Sequence, residues 1–90
     1  MTKLIYIAHD TRAVDDHVDY FWSRDDALAE IAYWRGHMTA SELKSSRFAI
    51  ETRRIEVASD DVDPRRAALD AEDDDWLILD CNLVRWEDIE

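Results

Sequence analysis

The stretch Arg47–Ala58, RFAIETRRIEVA, decides how the chain folds. It reads as one long strand, and a strand of that length needs a sheet around it. Its apolar residues change parity partway along. Phe48 and Ile50 fall on one side, Ile55 and Val57 on the other. A one-residue slip exchanges the two faces of a strand, so a bulge or sharp twist is expected near Thr52–Arg54.

Immediately before this strand lies the clearest helix signal. Ser23 followed by Asp26 has the spacing of a capping box, and Asp25 adds favourable charge in the first turn. Ala27, Leu28, Ile31, Trp34 and Met38 then form an apolar stripe at helical spacing. Gly36, the one glycine of the chain, stands where a left-handed C-terminal cap is expected. Thr39 and Glu42 form a second capping box, with Met38 and Leu43 as its hydrophobic staple. The spacing predicts helices over about 24–36 and 40–45.

Towards the N-terminus, Lys3–Ala8 (KLIYIA) carries Ile and Tyr on both faces and reads as a central strand covered on both sides, or as one with a single covered side and an aromatic-rich partner. Val18–Trp22 (VDYFW) alternates well enough for a second strand, and His9–His17 (HDTRAVDDH) is expected to be the long loop of an antiparallel hairpin. Towards the C-terminus, Asp63-Pro64 opens a short helix over about 64–71, with Asp63 as N-cap. Trp76–Trp86 (WLILDCNLVRW) is the last strand, with Leu77, Leu79, Cys81 and Leu83 in phase on its buried side. The expected fold is therefore α+β in a single domain, residues 1–90. A mainly antiparallel sheet of four strands (about 3–8, 18–22, 47–58 and 76–86) carries the Ser23–Ser46 helical pair on one face.

The charge is unbalanced. Twenty-two acids stand against eleven Lys and Arg, for a net charge of −11. DNA, RNA and anionic membranes are poor partners for such a surface, because binding them relies on cations that neutralise phosphates. Basic proteins are good partners. The N-terminus, MTKLIYIAHD, turns acidic at once, unlike a signal peptide, so a cytoplasmic protein is expected, monomeric or homodimeric. A lone Cys81 offers neither a disulfide framework nor a thiolate metal cage, and a core thiol is expected.

Ser59–Trp76 concentrates the acidity: Asp60, Asp61, Asp63, Asp70, Glu72, Asp73, Asp74 and Asp75 against Arg65 and Arg66, a net −6. Asp60, Asp61 and Asp63 suit the positive end of the short helix. Asp70 and Glu72–Asp75 face its negative end, where acids are unfavourable, and Arg66 with Asp70 offers one compensating i,i+4 pair. Trp76 beside them is a candidate interface anchor. Asp15, Asp16, Asp19, Asp25 and Asp26 make a second acidic patch.

Signals for catalysis are weak. A single glycine leaves no phosphate-binding loop, and no Ca-loop or HExxH spacing occurs. The acids include one candidate for partial burial, Asp80, which is expected to face solvent. Folding back the His9–His17 loop would gather nitrogen and oxygen ligands, so a small metal-dependent enzyme is an alternative. A halophilic or housekeeping domain whose acids only solvate it is another, since Asp outnumbers Glu 15 to 7 and Arg outnumbers Lys 9 to 2. No cofactor is expected.

With its two capping boxes (SRDD, TASE) and the core SRDDALAEIAYWRGHMTASELKSSRFAIE, the chain resembles, in character, small acidic phage and mobile-element proteins, the anti-CRISPR inhibitors among them. Those families share no common motif, so the resemblance transfers no residue. What it implies is a partner that is a basic nucleic-acid-binding protein, a CRISPR effector complex above all, met in the host cytoplasm. The acids would mimic phosphate charge and block the basic groove.

Overall fold

The long strand runs without a break. In the computed structural model, which describes residues 2–11, 16–57, 62–73 and 78–89 (for Ile78, Leu79 and Asp80 the backbone only), β3 spans Arg47–Glu56. It pairs antiparallel with β1 (Thr2–Thr11) in continuous register, from Thr11↔Arg47 to Thr2↔Glu56. The change of parity therefore has another cause. Phe48 and Ile50 point to the front of the sheet and pack under α1 (Arg24–Gly36), with Ala8, Ala27 and Ile31. Ile55 and Val57 point to the back and pack with Ile5 under Ala67, Ala68 and Ala71 of α3 (Pro64–Asp73). Two helices cover opposite faces at opposite ends of one strand, and the apolar pattern switches sides with them.

An irregularity does lie close to the expected place, but in the other neighbour. Between Arg54↔Asp80 and Ile55↔Ile78 the last strand, β4 (Ile78–Arg85), advances two residues while β3 advances one. With β2 (Asp16–Phe21) on the far side of β1, the strand order is β2-β1-β3-β4, antiparallel throughout. The α+β architecture is thus as expected, with the Ser23–Ser46 helical pair on the front and the short helix on the back.

The helix ends follow their local chemistry. Ser23 Oγ accepts from the Asp26 amide at 3.4 Å. At α2 (Ala40–Ser45) both halves of the capping box are present: Thr39 Oγ1 accepts from the Glu42 amide (3.2 Å), and Glu42 Oε1 from the Thr39 amide (3.1 Å). Gly36 departs from expectation. It is the last helical residue, and neither it nor any other described residue adopts positive φ. The turn closes instead through His37, whose amide bonds Trp34 O at 3.1 Å, while its ring Nδ1 lies 2.9 Å from Tyr33 O.

The hairpin also needs correction. His9–Thr11 belong to β1 and Asp16–His17 to β2, so most of the expected loop is paired strand. Polar residues extend there because β3 pairs with β1 as far as Thr11. Trp22 lies just past β2 and packs against the back cluster, with Lys3 Nζ 4.9 Å above its ring. No helix among the described residues is long and apolar enough to cross a membrane.

Candidate functional site

Asp19 of β2 and the exposed flank of α1 build an acidic ridge on the front of the sheet. β2 is an edge strand on which Asp16 and Asp19 are both exposed, but alternation turns Asp19, opposite Ala8, to the front with α1 and Asp16, opposite Thr11, to the back. Asp25 and Asp26 are exposed in the first turn of α1, where the helix dipole favours them. One turn beyond Asp26 stands Glu30, whose carboxyl lies within hydrogen-bonding reach of Asp19. Partial burial first, and then the charge of Asp19, push Glu30 above the ordinary carboxylate range. Among the described residues no cation forms an ion pair with any of these five acids. Two like charges pressed together with no counter-ion are a local cost. Sequence reading did not single out Glu30. The signal was its place four residues after Asp26, on the helix flank beside β2.

The acids of α3 divide differently. Asp63 caps the helix, its Oδ2 accepting from the Arg66 amide at 3.3 Å. Arg66 Nε reaches Asp70 Oδ1 at 3.5 Å, the expected i,i+4 pair, with both side chains exposed. Asp70 and Asp73 lie inside the helix, which runs two residues further than predicted, and no basic residue occupies its last turn. Glu72 was expected to be a spare surface acid, and it is not. Its Oε1 accepts from an Arg53 terminal nitrogen at 2.7 Å, joining α3 to the sheet. Asp15, Asp60, Asp61, Asp74, Asp75 and Trp76 lie outside the described residues.

Arg53 leads to a polar cluster on the back face that sequence reading missed. Glu51, 8 % exposed, stands opposite Ile7 on the central pair of strands. His9 Nε2 lies 2.9 Å from its Oε1. The Arg53 Nε and the Cys81 thiol both donate to Oε2, the thiol at 3.1 Å. The hydrogen bond from His9, with those from Arg53 and Cys81 added, outweighs burial and holds Glu51 at about 2.

Cys81 is not the core thiol expected. It is exposed, and Leu83, two residues on, is 59 % exposed. Alternation along β4 is as read, but α3 covers only the end of the back face near Ile5 and Ile55, so the in-phase row meets solvent. Leu77 and the side chains of Leu79 and Asp80 lie outside the described residues. The carboxylate of Glu51, first by its hydrogen bond and then with burial, pushes the Cys81 thiol up. Cys81 is therefore expected to react with an aromatic disulfide reagent at pH 8 several-fold more slowly than an exposed peptide thiol, and Glu51→Gln to speed it. Equal rates in the two proteins would show that the carboxylate does not control the thiol.

The residues expected to gather around a metal are divided between the two faces of the sheet. His9 points to the back of the sheet, while Asp10 and His17, paired with each other, point to the front. Asp10 is 1 % exposed and lines a pocket of about 280 Å³ with His17, Trp34 and Met38. No group of three or more His, Cys, Asp or Glu among the described residues could hold a metal ion. Comparison with known families, curated proteins and solved structures finds no match, so the surface has to be read from its own residues.

Proposed function

We propose that this chain is an acidic inhibitor that binds the basic nucleic-acid groove of another protein, presenting carboxylates where that groove expects phosphates. The observation that carries this reading is the Asp19–Glu30 contact on the front ridge that Asp25 and Asp26 extend. Carboxylates are held together there at a local cost, with no cation of the described residues to relieve them. Exposed Asp73 on α3 supplies further charge on the opposite face of the sheet, where Asp70 is paired with Arg66. A rigid sheet and its helix fix the spacing of the ridge, which suits a partner whose cations are themselves fixed. Association driven this way is fast and falls steeply with ionic strength. The resemblance to anti-CRISPR inhibitors points to a CRISPR effector complex as the target.

The test is displacement of duplex target DNA from purified effector complexes of several types. The wild-type protein is expected to displace DNA from at least one type. Asp19→Lys with Glu30→Lys is expected to weaken displacement about tenfold or more, with an unchanged circular dichroism spectrum. Undiminished displacement by the reversed protein, or none across the panel, would overturn the reading. A domain whose acids serve only solvation in brine would instead lose its fold at low salt, which the same spectra would reveal.

A further inference from the structure

Where β3 begins and β4 ends, the molecule reverses its charge. A pocket of about 450 Å³ opens there, lined by Arg35, Lys44, Arg47 and Arg85, with Glu87 as its one acid among the described residues. Four of the chain's eleven Lys and Arg thus surround one cavity, in a protein with twice as many acids as bases. Two cations elsewhere are neutralised, Arg53 by Glu51 and Glu72 and Arg66 by Asp70. Those around this pocket are not. None of the four forms an ion pair or a side-chain hydrogen bond among the described residues.

Arg35 is nevertheless held in place. Its guanidinium sits 5.4 Å from the ring centres of both Phe48 and Trp86, a double cation–π contact that leaves its N–H donors unspent. A planar guanidinium fixed in this way is suited to a phosphoryl group, which it can grip with two parallel bonds. Apolar walls accompany the cations: Leu43, Phe48, Leu83 and Trp86 line the same cavity. Its volume far exceeds that of a bare anion and falls within the range of small-molecule sites, about 300–1,000 Å³.

We infer that this pocket binds a small organic phosphate of nucleotide size, its phosphoryl groups among Arg35, Lys44, Arg47 and Arg85 and its organic part against Trp86 and Leu83. A nucleic-acid polymer is disfavoured as occupant, because the surrounding net charge of −11 repels an extended polyanion. The site is independent of the acidic ridge, and its test does not involve the ridge's partner.

Calorimetric titration of the whole protein with adenosine triphosphate, inorganic pyrophosphate and citrate, at about 50 mM salt, tests it. The triphosphate is expected to bind one to one and to raise the melting temperature, with pyrophosphate about tenfold weaker for want of an organic part and citrate weaker still. Arg47→Ser with Arg85→Ser is expected to weaken the triphosphate about tenfold or more. Should that variant fail to fold, Lys44→Ser on the exposed side of α2 serves in its place, with a smaller loss expected. Absence of binding at millimolar triphosphate, undiminished binding by the folded variant, or citrate bound as tightly as triphosphate would each overturn the inference.

Discussion

Glu51→Gln is expected to destabilise the domain by about 2 kcal/mol at pH 7, an unusual loss for one uncharged isostere. A carboxyl held near 2, against an ordinary 4.5, corresponds to about 3 kcal/mol, and water at the open half of the back face reduces that figure. Because the folded-state value is depressed, the stabilisation is fully present above about pH 4.5 and is lost as pH falls towards 2. Denaturant unfolding of both proteins at several pH values between 7 and 2 reads this directly. Relief of repulsion among the other acids is common to both proteins and cancels in the difference. The gap should be widest at neutral pH and close near pH 2. A gap that persists undiminished at pH 2 would mean that Gln fails for reasons of shape instead.

A larger loss is expected from Ile5→Ala combined with Ile31→Ala. Both side chains are fully buried, Ile5 in the back cluster and Ile31 in the front one. Each truncation leaves a cavity and costs about 2–5 kcal/mol. The sheet separates the two clusters, which share no buried residue, so the costs should add to within about 0.5 kcal/mol. A domain of this size has a total of about 5–13 kcal/mol, so the double variant should be largely unfolded at room temperature. Urea titration of the single variants and circular dichroism of the double one settle it. A double variant no less stable than the worse single would show that the two cores are one.

The helices were legible because their information is local. Ser23, Thr39 and Asp63 announce the starts within four residues, and the observed ranges 24–36 and 40–45 agree with the sequence reading. What was not legible depends on partners distant in the chain. Thr11 is a strand residue because β3 reaches it at Arg47, and Asp16 because Thr11 then pairs with it from the other side. The parity change in β3 looked like a slip, yet it records which helix covers which end. Glu51 looks like any solvent-facing acid of a strand until the register brings His9 and Cys81 to it from 42 and 30 residues away. For the acidic surface, exposure of Asp19, Asp25, Asp26 and Asp70 followed the expectation. Glu72 is exposed as well but is not spare, because it is the second carboxylate on the largely buried Arg53 guanidinium.

The continuous β1–β3 register has a consequence for how the molecule is made. Its partners are separated by 36 residues at Thr11↔Arg47 and by 54 at Thr2↔Glu56. The centre of the sheet is thus closed between segments that leave the ribosome far apart in time, a topology that folds slowly. During that interval the apolar run LIYIA of β1 has lost neither its edges nor its stickiness, and strand segments of this kind nucleate aggregates. The acids of β2 and α1, Asp16 to Glu30, emerge directly behind it. Their mutual repulsion, a cost in the finished fold, keeps neighbouring nascent chains apart while the strand waits for β3.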